Sequence, residues 1–173
     1  MGLKVGMVKL EEYNPSWSEK FEEEKKNLEE LFGRVALSIE HIGSTAVEGL
    51  SAKPIIDIAV GVKNLNDFEL VKEKFMEEPY SVKEDSTDGE ILVRKGNEDN
   101  RTHFIHVMEL DSQRYKDTIM FRDYLRHHLN VVRDYEELKK SLAIKYSDNR
   151  KMYTASKNEF IKNILELAYR EEK

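Results

Sequence analysis

Apolar positions are most nearly continuous at Ile55, Ile56, Ile58, Val60 and Val62. Such a β-branched run predicts a strand buried on both faces. Pro54 sits where the strand opens, a place that tolerates a missing N–H. Upstream, Arg34 to Ile42 predicts a first strand, and Gly43-Ser44 ends it. Ala46 to Leu50 predicts one helical turn between the two strands. The block from Arg34 to Val62 therefore reads as strand, glycine turn, short helix, strand, and the chain is organised around it.

Other patterns flank this block. Met1 to Tyr13 is a lead-in with an edge strand expected over Gly6–Leu10. Asn14-Pro15 is a helix start, with Asn as cap and Pro in the first turn. Trp17, Phe21, Leu28, Leu31 and Phe32 form the stripe of that helix, and Gly33 ends it. Its glutamates and lysines read as a solvated face. A second helix is expected from Asn66 to about Met76, with Phe68, Val71 and Phe75 inward, broken at Pro79-Tyr80. A polar turn at Asp85–Gly89 leads to a strand over Glu90–Arg94. A hairpin loop, Gly96–Asn100, leads to a partner strand over Thr102–Leu110. The remainder has helical periodicity over about Ser112–Leu129, Val131–Ser147 and Thr154–Arg170. Strands mixed with helices, then helices alone, give an α+β (mixed α/β) class. We read residues 1–173 as one domain, with a core over about 1–110 and a helical section over about 111–173.

Composition narrows the partners. The chain has 173 residues, net charge −6 and a charged fraction of 36%. A pI near 5.5 argues against nonspecific nucleic-acid binding, which needs cationic surface. No cysteine is present, so thiolate metal ligands and disulfides are excluded, and the expected setting is cytoplasmic. No apolar run approaches the roughly 20 residues of a membrane helix.

Candidate chemistry gathers in and around the central block. Gly43, Ser44 and Thr45 form a small-residue turn whose amides are free to face a phosphate. Asp57 is the one charge inside the second strand, where carboxylates are rarely buried without a partner. His103 and His106 lie in the hairpin strand. Three residues apart, they point to opposite faces of a regular strand. Glu40 and His41 border the turn, and Lys53 is placed to pair with a phosphate or with Asp57. Arg122, Arg126, His127, His128 and Arg133 read as ordinary helix surface.

HIGSTAV, GLSAKPIIDI, the HxxHV of the hairpin strand, FRDYLRHH, YNPSWSEKF and the Tyr153–Lys157 segment resemble motifs of the GrpB family. The resemblance spans nearly the whole chain. It implies membership of the nucleotidyltransferase superfamily, the polymerase-β-like fold, with a mixed sheet flanked by helices. Fusion of family members to dephospho-coenzyme A kinases implies a link to coenzyme A biosynthesis. In that superfamily a Gly-Ser turn holds nucleotide phosphates, and two acids separated by one residue bind divalent metal. Ile42-Gly43-Ser44 and Asp57 match, but Ala59 stands at the second acid position and His106 where a third acid is expected.

Two readings follow. In the first, the protein is a nucleotidyltransferase-like enzyme. Gly43, Ser44, Thr45 and Lys53 hold phosphate; Asp57 and His106 hold Mg or Mn, with Zn a lesser candidate. His41 is a further ligand, or His106 is the general base. In the second, it is a non-catalytic module that binds a nucleotide or coenzyme-A-related ligand. A histidine-based metal site using His41, His103, His106 and Asp57 is a third, weaker reading.

Overall fold

The structure, a computed structural model, describes residues 1–83 and 89–172. Most of the expected turn at Asp85–Gly89 lies outside the described residues. Five strands form one mixed sheet: β1 (Ser38–Ile42), β2 (Ile56–Val62), β3 (Tyr80–Val82), β4 (Glu90–Gly96) and β5 (Arg101–Glu109). Their spatial order is β1-β2-β5-β4-β3. β2 and β5 run parallel; every other pairing is antiparallel. The class is α+β, as the apolar pattern predicts.

The sheet is covered on both faces. One face carries Ile39, Ile56, Ile58, Val60, Val62, Val93, Ile105 and Val107, all buried. Against it lies α1 (Ser16–Phe32) with Trp17, Phe21, Leu28 and Phe32. Asn14 Oδ1 accepts from the Ser16 amide at 2.9 Å, which starts this helix, and Gly33 at φ +54° ends it. The opposite face carries Ile42, Ala59 and Met108, which pack on Tyr115 of α2 (Gln113–His127). Three further helices follow: α3 (Leu129–Lys145), α4 (Arg150–Ala155) and α5 (Asn158–Glu171). Tyr124, Leu125, Val132, Tyr135 and Ile164 hold the helical section together, and they enclose Val47 and Leu50 from the β1–β2 connection. β2 is thus buried from both sides, as its near-continuous apolar run requires.

Several expectations are corrected. No strand forms over Gly6–Leu10; the lead-in makes single bridges, Leu3 with Arg101 and Glu11 with Ala52. The turn after Gly43 is a 3-10 turn over Ser44–Ala46 rather than a helical turn over Ala46–Leu50. β2 begins at Ile56, two residues after Pro54. The helix expected over Asn66–Met76 is two 3-10 segments, Leu65–Leu70 and Lys72–Phe75. Val71 at φ −123° interrupts them, and Asn64, not Asn66, supplies the cap. Packing decides this: Phe68 and Phe75 both reach Phe32, with ring centroids 6.1 and 4.9 Å away. The last helix is split at Ser156-Lys157, where Lys157 N–H bonds Thr154 O in a tightened turn. Ser and Thr are weak helix formers, and their side chains compete for backbone groups. Glu24 of α1 is not solvated: it is buried, accepts from Tyr80 Oη at 2.8 Å and pairs with Lys95.

Phe32 is 1% exposed at the centre of the aromatic cluster. We expect Phe32→Ala to cost about 3–5 kcal/mol in urea denaturation. A loss below about 1 kcal/mol would show that the cluster does not anchor α1 to the sheet.

Candidate functional site

The sheet's second face turns its polar side chains into one place. Parallel register sets Asp57 beside Phe104 and Ala59 beside His106, so Asp57, Phe104 and His106 point the same way. Antiparallel register sets Glu90 beside Met108 and Leu92 beside His106. A cavity of about 420 Å³ opens over these residues. Gly43, Ser44 and Thr45 form one wall, with Lys53 from the β1–β2 connection; Tyr135, Tyr153 and Lys157 close it from the helical section.

His106 stands at the centre of a chain of charges. Its Nε2 lies 3.2 Å from Asp57 Oδ1 and its Nδ1 lies 2.8 Å from Glu90 Oε1. Glu90 Oε2 in turn accepts from Arg114 Nε at 2.7 Å. Burial by itself lowers the pKa of His106; hydrogen bonds to Asp57 and Glu90 and their charges overcome it and raise the pKa to about 9. At neutral pH both ring nitrogens are therefore protonated and both donate. Burial raises Asp57 and Glu90, but His106 more than offsets it, and both carboxyls fall below their ordinary range, Glu90 to about 2.

Gly43 is required at its position for two reasons. Its φ is +71°, and a Cβ there would stand 2.8 Å from Asp57 Oδ2. The turn therefore touches the carboxylate directly, and no side chain intervenes.

Cations crowd the rest of the cavity. Lys53 Nζ lies 5.5 Å and Lys157 Nζ 4.5 Å from the centroid of the Tyr153 ring. Burial, then the charges of Arg150 and Lys157, push Lys53 down to about 7, against the pull of Asp57. Burial and Arg150 push Lys157 down to about 8, again against Asp57. Lys139 also reaches the cavity, but donates to Ser51 O. At the rim, Asp117 accepts from Tyr169 Oη at 2.6 Å and from Gln113 at 2.7 Å.

The structure thus gathers Gly43, Ser44, Thr45, Lys53, Asp57 and His106. It does not bring His41 to them. His41 is on the opposite face, stacked on Phe21 at 4.8 Å, with Nε2 2.8 Å from Thr45 Oγ1. Burial lowers its pKa to about 4, so it is neutral and braces the turn from behind. His103 shares that face, as strand alternation predicts, and burial lowers it to about 4 as well. Glu40 is taken up by Arg122 Nη1 at 2.7 Å. Arg122 is accordingly a buried partner and not ordinary helix surface.

A divalent metal does not fit this donor set. Both nitrogens of His106 already face carboxylates, Nε2 to Asp57 and Nδ1 to Glu90. Glu90 is neutralised by His106 and Arg114. Asp57 alone offers oxygen, short of the several oxygens that Mg²⁺ or Mn²⁺ takes. With its pKa raised, His106 holds its proton at neutral pH and suits a proton donor better than a general base.

Residue-by-residue reading overlooked Glu90, Arg114 and Lys157. Glu90 was within reach: counting back across the expected Gly96–Asn100 loop sets the start of one strand opposite the His106–Met108 stretch of the other. Nothing local marks Arg114 or Lys157 as parts of the site.

Fold and site define an α+β protein with a charged cavity between a five-stranded mixed sheet and its following helices. The chain belongs to the GrpB family, whose model, "GrpB protein", matches residues 7–167. The glutamate-rich protein GrpB of Alkalihalophilus pseudofirmus is 37% identical over 170 residues, covering 95% of this chain and 98% of that protein. UPF0157 protein YqkA of Bacillus subtilis is 37% identical over 159 residues, 91% of this chain but 46% of YqkA, so this chain spans about half of that relative. The crystal structure of the conserved protein GrpB from Enterococcus faecalis superposes with a TM-score of 0.87 at 36% identity, covering 95% of this chain and 99% of that one. No helix among the described residues is long and apolar enough to cross a membrane.

The His106 charge state is directly measurable. Nitrogen-detected NMR should find both ring nitrogens protonated at pH 7.5, with titration near pH 9 in the native protein and a lower midpoint in Glu90→Gln. Titration near the ordinary 6.5 would break the charge chain as described.

Proposed function

We propose that the cavity binds a nucleotide or a related phosphate-bearing small molecule, and that the protein's own cations take the place of divalent metal. The observation that carries this reading is the uncompensated positive charge. Asp57, His106, Glu90 and Arg114 alternate in sign and sum to zero. Lys53 and Lys157 then add charge, with Asp57 as the only carboxylate among the described residues acting on both. Their lowered pKa values measure how unfavourable that crowding is without an anion. A phosphate between them and the Gly43–Thr45 turn relieves it. The aromatic walls, Phe104 and Tyr153, suit a flat ring beside the phosphate. Coenzyme-A-related ligands belong to the same chemical class.

Nucleotidyl transfer, which the resemblance implies, ranks second. It calls for bridging cations at the phosphates, and the donor set around Asp57 offers them little. Binding without turnover is therefore the leading reading.

Calorimetric titration with nucleoside triphosphates and with coenzyme A, in EDTA and in Mg²⁺, tests it. Binding should survive EDTA. Lys157→Met should weaken it by about tenfold or more, the value of one hydrogen bond to a charged group. Affinity should fall from pH 7 to pH 9, because Lys53 near 7 and Lys157 near 8 lose their protons there. Anion binding favours the protonated lysines, so binding at pH 8 should take up protons. Binding that needs metal and vanishes in Asp57→Ala, or pyrophosphate accumulating from a triphosphate, would favour transfer instead.

A further inference from the structure

A second group of cations adjoins the cavity. Across β2, β5 and β4, Asp57, Phe104 and Arg94 are successive neighbours on one face of the sheet. The guanidinium of Arg150, from the first turn of α4, lies 5.5 Å from the Phe104 ring centroid. Arg101 opens β5, and its backbone is tied to Leu3 by two hydrogen bonds, of 2.9 and 3.0 Å. Arg101 is only 5% exposed.

Several nitrogens of these three guanidiniums lack partners among the described residues. Nε of Arg94, Nε and Nη1 of Arg101, and Nε and Nη2 of Arg150 are buried with no hydrogen-bond acceptor among the described residues. No carboxylate among the described residues forms an ion pair with any of them, whereas the buried Arg122 has Glu40 and Asp123. Arg101 feels Arg94 and Arg150 as like charges, with only the exposed Glu98 opposing them. A guanidinium cannot shed its proton to escape burial, as a lysine can. Its donors fork in a plane that matches the oxygens of a phosphate. Asp57 acts on Arg150 and Glu98 on Arg101 from a distance, but neither bonds them, so the three groups form a receptor for an oxyanion rather than a structural ion-pair network.

We propose that Arg94, Arg101 and Arg150 form a second phosphate subsite beside the Lys53–Lys157 cavity. Arg150 joins the two, since it acts electrostatically on Lys53 and Lys157 as well as on Arg101. The natural ligand therefore carries two separated phosphate groups. This last clause rests on the cavity reading; the subsite itself does not.

Inorganic phosphate is the probe, titrated by calorimetry at low ionic strength. The native protein should bind two phosphates per chain. Arg101→Gln and Arg94→Gln should each weaken one of them by about tenfold or more and leave the other. Lys157→Met should do the reverse. Lys26→Gln, an exposed lysine of α1 on the opposite face, should change neither. Arg94 is half-buried, so its variant serves if the buried Arg101→Gln fails to fold, as judged by circular dichroism. A single phosphate that is insensitive to Arg94→Gln would overturn the subsite and leave the cavity reading intact. A single phosphate lost in Arg94→Gln but kept in Lys157→Met would uphold the subsite and overturn the cavity reading. No phosphate bound by the native protein would overturn both.

Discussion

The arrangement of the site depends on one buried cation, His106, shared between two carboxylates. Asp57 comes from β2, Glu90 from β4, and His106 from β5 between them. A carboxylate inside a sheet is costly without a partner. Two of them facing one another would repel, and one would hold a proton. A histidinium between them removes both problems, and Arg114 caps the far end. The charge chain then works as a cross-strand tie on a face where ordinary apolar packing stops.

Topology explains why the tie forms there. Parallel pairing of β2 with β5 aligns Asp57 with Phe104, and antiparallel pairing of β5 with β4 returns Glu90 towards His106. Strands distant in sequence thereby contribute to one row. The other face of the same strands is apolar and carries α1. This division leaves His41 and His103 neutral on the packed side and His106 charged on the open one. Position relative to the sheet, more than residue type, sets the charge of each histidine.

The class of fold was legible because strand and helix periods are local properties. β2, β4, β5, α1 and α2 lie close to their expected bounds for that reason. The Gly43–Thr45 turn and Asp57 were legible as candidates, because both belong to one strand–turn–strand unit; their contact shows only in the fold. What escaped depends on long-range packing. Phe68 and Phe75 settle into 3-10 turns to reach Phe32, and no helical period reports that. His41 appeared to border the site because it is two residues from Gly43; alternation along β1 sends it the other way. Lys157 joins the site from a helical segment 100 residues after Asp57. Its contribution is visible only once the helices are placed. The break at Ser156-Lys157 was likewise masked by an apolar stripe that runs through α5.

Tyr153 belongs to α4, Lys157 lies in the break between α4 and α5, and the Nζ atoms of Lys157 and Lys53 both lie near the Tyr153 ring. The cavity is thus assembled between the sheet with its glycine turn and the helical section, which also pack on one another through Val47, Leu50 and Tyr115. Whatever occupies the cavity touches both parts at once. By mass action it stabilises only the docked arrangement, so occupancy and closure of the helical section are thermodynamically linked. As proposed above, an anion in the cavity offsets the like charges that Lys53 and Lys157 bring to it. On the proposal above, the bound anion is the mortar between the sheet and the helical section.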